Sequence, residues 1–209
     1  MSCKVFFLSA ALLFALISRS TTAKVQPPKL RLNLHFTQKI AKQSGTPLID
    51  TACRGVGAHE KECFDTLRSA PPHQQADAGE LAFFALKYVE DHAVNVTTII
   101  KTIVGNFSDL APMLQASLSE CLDQYNPLDD LIEDAINELL AKSYEETKKF
   151  LMAAMTNIEV CDSQLKGSTA EEKAEKKSQL EIEWSQDLSN YNDYLKNLLA
   201  AAMNILQSD

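Results

Sequence analysis

The chain has 209 residues, enough for one domain with a real core, and is 45% hydrophobic and 23% charged with a formal net charge of −8. An acidic balance of that size repels nucleic acid and anionic lipid and favours basic partners, so neither nucleic acid nor a membrane surface is expected as a ligand. With six glycines and no phosphate loop, nucleophile elbow or zinc motif, the composition points away from an enzyme and from any cofactor or bound metal.

The first residues, "MSCKVFFLSAALLFALISRSTTAK", place Lys4 before an apolar run from Val5 to Ile17, followed by small and polar residues. This is the pattern of a secretory signal peptide, residues 1–23, with cleavage after Ala23. The run is short of the ~20 apolar residues a spanning helix needs, and no later segment is a candidate. Removing Lys4 and Arg19 leaves 18 basic residues against 28 acidic ones, so the exported chain carries about −10. The mature protein is expected to be soluble and exported.

Residues 24–47 form a basic arm: Lys24, Lys29, Arg31, Lys39 and Lys42 occur with no acid before Asp50. The rest, residues 48–209, reads as a single helical domain. "PLIDTACRGVGAHEKECFDTL" predicts two short helices around a "GVGAHE" turn, and "SAPPHQQADAGE" a loop into the first long helix.

Four apolar stripes follow, each stepping three and four residues as in a helix packed in a bundle. The first runs Ala82, Leu86, Val89, Ala93, Val96, Ile100, Ile103. The second runs Leu114, Leu118, Cys121, Tyr125, Leu128, Ile132, Ala135, Leu139. After an "AKSY" break the third runs Tyr144, Thr147, Leu151, Ala154, Ile158, Cys161, Leu165, and the last Trp184, Leu188, Tyr191, Leu195, Leu198, Ala202, Ile205. No segment alternates with period two, so the fold class is all-α. Pro127 lies inside the second stripe. Because the register is unbroken across it, one kinked helix is expected there rather than a restart with Asn126 as cap. "KGSTAEEKAEKKSQ" reads as a surface loop or as the solvated start of the last helix, with Ser168 or Thr169 as its cap.

Cys3 leaves with the signal peptide, and Cys53, Cys63, Cys121 and Cys161 remain, an even number that implies two disulfides and allows three connectivities. Helix geometry chooses among them. Positions 121 and 161 are equidistant from the "AKSY" break; twenty residues along each antiparallel helix, at ~1.5 Å per residue, brings them to one level. Both lie on core-facing stripes, so Cys121–Cys161 is predicted as an interhelical staple and Cys53–Cys63 as a local bridge. His35, His59, His73 and His92 show no ligand-like spacing with these cysteines. Two sequons, Asn95-Val-Thr and Asn106-Phe-Ser, are candidate glycosylation sites. The acids Asp129, Asp130, Glu133, Asp134 and Glu138 avoid the stripe and read as a solvated face, and Tyr125 and Tyr191 as packing.

The order of a close cysteine pair and a distant pair, with "CLDQY" opening one helix, "LLAKSYEE" at the turn, "LMAAMTNIEVCDSQLKG" around the last cysteine and "NLLAAAMNIL" at the end, resembles the plant invertase and pectin methylesterase inhibitor family. The resemblance covers Leu48 to Leu206. It implies an up-down-up-down four-helix bundle preceded by an α-hairpin, the same two disulfides, and a stand-alone inhibitor that blocks the active-site cleft of a carbohydrate-active enzyme. "CLDQY", "AKSYEE" and "MAAMTN" are nearer to the invertase-inhibitor branch, which makes an acid invertase the first expected target and pectin methylesterase the alternative. Invertase inhibitors are expected to carry a Pro-Lys-Phe segment soon after the fourth cysteine. This chain has "CDSQLKGSTAEEKAEKK" there, without Pro or Phe. Asp162 and Lys166 are the candidate target contacts in that stretch. A bundle that keeps the scaffold without inhibiting is the reading from another class.

Overall fold

The computed structural model describes residues 46–106, 110–171 and 179–207. The expected signal peptide, and all of the basic arm but its last two residues, lie outside them. Among the described residues there is no strand, and seven α-helices carry the fold. They are α1 (Pro47–Cys53), α2 (Glu60–Arg68), α3 (Ala78–Asn106), α4 (Pro112–Tyr125), α5 (Leu128–Leu140), α6 (Tyr144–Glu171) and α7 (Gln179–Ile205), with a 3₁₀ turn at Gln74–Ala76. α3 packs against α4, α5 and α7, and α6 packs against the same three. Thus α3 and α6 stand diagonally across an up-down-up-down bundle, with α4 and α5 sharing one rod.

The stripes become the core. Every position named in the four of them is buried, except Tyr144, which is half-buried at the start of α6. Each fully buried Leu or Ile there contributes ~1.5–3 kcal/mol relative to exposure, which is why short polar connections can be irregular without loosening the domain.

The helix ends follow local chemistry. Thr46 caps α1, its hydroxyl accepting from the Ile49 N–H at 3.4 Å, with Pro47 in the first turn where no donor is needed. The "AKSY" break is a Schellman turn. Lys142 takes φ +60°, its N–H donates to Leu139, and the Ser143 N–H donates to Glu138 at 2.8 Å. This turn reverses the chain between α5 and α6, as the cysteine geometry requires.

The α1–α2 hairpin packs on α7 and, through α2, on α3. Asn204 donates to the Ala52 carbonyl (3.1 Å), and the Thr66 and Tyr194 hydroxyls meet at 2.7 Å. Its turn has no room for a side chain at Gly57 (φ +126°), where a Cβ would sit 2.9 Å from the Asn197 amide. With its amide nitrogen toward the Val56 carbonyl, Asn197 also accepts from the His59 N–H at 3.1 Å.

Two expectations are corrected. Pro127 does not sit in one kinked helix: α4 ends at Tyr125, where the Asn126 N–H still donates to Leu122, and α5 begins at Leu128, so the two are separate. Asn126 and Pro127 nevertheless keep right-handed helical dihedrals; Asn126 is the C-cap of α4, and Pro127, not Asn126, is the N-cap of α5. The proline lacks the donor that the ladder needs, while burial of Tyr125 and Leu128 on either side keeps the rod in register. Ser168 and Thr169 do not cap the last helix. They belong to the final turn of α6, which continues to Glu171, and residues 172–178 lie outside the described residues.

Candidate functional site

Both disulfides form as derived. Cys53–Cys63 joins α1 to α2 with Cα atoms 5.7 Å apart, and Cys121–Cys161 joins α4 to α6 at 4.4 Å. The second one anchors the stretch of α6 that carries the candidate contacts. A buried polar chain runs alongside it. The Tyr125 hydroxyl donates to Asn192 Oδ1 at 2.6 Å, and Asn192 Nδ2 donates to Cys161 Sγ at 3.3 Å. Burial holds the Tyr125 phenol far above its usual range, so it remains a donor at any physiological pH. Ser117 of α4 adds a hydrogen bond to the Gln164 carbonyl at 3.2 Å. The backbone of α6 from Cys161 to Leu165 is therefore held by α4 on one side and α7 on the other.

Asp162 and Lys166 are brought together. The Asp162 carboxylate, 7% exposed, accepts from Lys166 Nζ at 2.6 Å and from the Ser189 hydroxyl of α7 at 2.6 Å. Their spacing of four residues, acid first, is the favourable order on a helix. The ammonium is 58% exposed, and the hydrogen bond it donates to Asp162 raises its pKa, so it stays charged across the physiological range. Asp162 thus acts through Lys166: one side chain positions and the other is presented.

Lys166 also lines a cleft of about 340 Å³ between α6 and α7, with Leu165, Ser185, Gln186, Ser189 and Asn190. Ser189 and Asn192 were not singled out from the sequence. Both flank the α7 stripe as small polar residues, and nothing in the stripe's period marks them.

The other candidates are dispersed. Asn95 is exposed midway along α3 and Asn106 is exposed at its end, while Phe107 and Ser108 of the second sequon lie outside the described residues. Asp129, Asp130, Glu133 and Asp134 are exposed and Glu138 is half-buried, as a solvated face requires. His92 stacks on Tyr88 with ring centroids 4.0 Å apart. Among the described residues no three His, Cys, Asp or Glu side chains gather as a metal site would need.

Comparison with known proteins bears on this arrangement. The family model for plant invertase/pectin methylesterase inhibitors matches residues 47–205. Two solved structures share the fold. One is a mutant form of a pectin methylesterase inhibitor from Arabidopsis, at TM-score 0.61 and 17% identity over 78% of this chain and 97% of that one. The other is a pectin methylesterase inhibitor from Arabidopsis thaliana, at TM-score 0.52 and 17% identity over 71% of this chain and 87% of that one. Among curated proteins none matches. The bundle, the two disulfides and the family match over most of the chain agree: the protein belongs to the plant invertase/pectin methylesterase inhibitor family.

Proposed function

We propose that this protein is an exported inhibitor that binds a plant acid invertase and blocks its active-site cleft. The observation that carries the reading is the presentation of Lys166: a charged, exposed head group on a helix that a disulfide and a buried carboxylate hold in place. A surface organised before binding loses little entropy on association, which suits tight inhibition. The choice of invertase rests on the segments "CLDQY", "AKSYEE" and "MAAMTN". The N-terminal signal pattern supports export to the cell wall, with the vacuole as the alternative. In this reading the chain carries out no hydrolysis of its own.

A second reading, inhibition of a pectin methylesterase, is favoured by a different observation: both solved structures of like fold are pectin methylesterase inhibitors. The absence of Pro and Phe beside Lys166 favours a third, a bundle that binds without inhibiting.

Paired titrations separate these readings. The oxidised protein spanning Lys24 to Asp209 would be titrated against a plant acid invertase and a plant pectin methylesterase in mildly acidic buffer. Saturable inhibition of the invertase alone is the expected result. Inhibition of the esterase alone would establish the second reading, and no effect on either, with both disulfides intact, the third.

A further inference from the structure

The sequon at Asn95 plays no part in the inhibitor reading, and the fold gives it a defined place. Midway along α3 an exposed strip runs through Asp91, Val94, Asn95, Thr98 and Lys101, while Ala93, Val96 and Ile100 are buried in the core. Residues three and four apart on a helix are surface neighbours, so Asn95 stands beside Asp91 and Thr98. Its amide faces solvent, and a group added there displaces no core contact.

The surface next to it suits a sugar held by that amide. Val94 is 49% exposed, and of the four large exposed hydrophobic residues among those described it is the one that adjoins a sequon asparagine. With Ala93, Thr97, Thr98 and Lys101 it forms the α3 wall of a groove whose other side is Tyr125, Asn126 and Asp129. The Thr97 and Thr98 hydroxyls donate to the Ala93 and Val94 carbonyls at 3.0 and 2.9 Å, which leaves their oxygens as acceptors, and Lys101 supplies a donor. An apolar side chain edged by such groups matches the C–H face and polar rim of N-acetylglucosamine. At about 240 Å³ the groove is smaller than the ~300–1,000 Å³ of sites for free small molecules. A tethered sugar needs no such enclosure, because a short linkage holds it at an effective concentration of order mM.

We propose that Asn95 carries an N-linked glycan whose first N-acetylglucosamine lies over Val94 and the lip of this groove. In the coupling, the Asn95 amide nitrogen bonds to C1 of an oligosaccharide carried on a lipid diphosphate. The bond from C1 to the diphosphate oxygen breaks, the lipid diphosphate leaves, and the nitrogen gives up one proton. That donor belongs to the secretory route, so the proposal rests on the export reading. It is independent of which enzyme is inhibited. Because α3 and α6 stand diagonally across the bundle, the glycan leaves the side that presents Lys166 open.

The test begins with the full-length chain expressed in secreting plant cells. Protein from the medium would be released from its glycans by an amidase in heavy-oxygen water, which leaves a labelled Asp at each modified position, and then sequenced by mass spectrometry. Label at Asn95 in most molecules is expected, and Asn95→Gln should lose the mass of one glycan. Secreted protein without label at Asn95, whatever the state of Asn106, would overturn the proposal. A chain retained inside the cell with its first 23 residues uncleaved would overturn the export reading as well, so the two failures are distinguishable. Placement of the sugar is read by comparing isotope-labelled protein secreted from yeast and trimmed to one N-acetylglucosamine with the Asn95→Gln variant. Shifted Val94 methyl signals and shifted amides across the groove at 126–129 are expected. Shifts confined to α3 would show the sugar standing free in solvent and would overturn its placement over the groove.

Discussion

At the scale of single residues, the domain depends on a few polar groups placed where water is absent. Asn192 is fully buried and serves two partners, the Tyr125 hydroxyl and the Cys161 sulfur. Replacing it by Ala strands a buried phenol and should cost about 1–3 kcal/mol in denaturant unfolding. Tyr125→Phe should cost a similar amount, and combining it with Asn192→Leu should cost less than the sum, because both unsatisfied groups leave together. His92 makes a different contribution. Burial between α3 and α7 lowers its pKa from the ordinary 6.5, outweighing the hydrogen bond to the Tyr88 carbonyl and the nearby Asp91. The unfolded chain therefore binds the proton more readily. Its stabilising effect is complete above the unfolded value and is lost as pH falls through the folded one. Stability of the parent measured from pH ~7 down to ~5 should decline more steeply than that of His92→Gln.

At the scale of elements, the rod of α4 and α5 and its staple to α6 matter most. Replacing Cys121 and Cys161 together by Ala should lower stability by about 2–5 kcal/mol, measured against the oxidised parent, and should loosen the turn of α6 that presents Lys166. Pro127 opposes the pattern around it. Because α4 and α5 are separate helices, Pro127 bears little of the ~3 kcal/mol that an interior proline costs, and its loss returns up to ~1 kcal/mol of entropy to the unfolded chain. Pro127→Ala restores one donor, worth about 1 kcal/mol, so stability should change by no more than about 1 kcal/mol while α4 joins α5, with a rise in helical circular dichroism as the check. Unchanged ellipticity would mean that packing of Tyr125 and Leu128, and not the missing donor, sets the junction.

At the scale of the whole molecule, charge governs approach and the bundle governs fit. A chain with a formal net charge of −8 steers toward basic partners. Affinity for its target enzyme should fall as salt is raised and change between pH ~4 and ~7 as carboxylates protonate, read from inhibition constants over both series. Flat affinity across salt and pH would leave shape complementarity alone to explain binding.

The repeating stripes, the cysteine levels around "AKSY" and the hairpin turn were all legible in the linear chain. Periodicity reports a core-facing helix directly, and in antiparallel helices joined by a tight turn, sequence distance from the turn becomes height along the bundle. The α4–α5 break was half legible. Pro127 announced a missing donor, but whether the helix bends or stops depends on how neighbouring helices hold each side. The cap expected at Ser168 or Thr169 failed because "KGSTAEEKAEKK" suits a helix interior as well as a helix start, and α6 runs on through both residues to Glu171. The site was least legible. Asp162 and Lys166 could be paired from a spacing of four, yet Ser189, 27 residues on from Asp162, and Asn192, 67 residues on from Tyr125, reach their partners only when α7 packs on α6 and faces α4 across the core. Local spacing thus determined which faces are buried and which cysteines meet. Only the tertiary structure decided which polar groups meet across helices, because such contacts have no period along the chain.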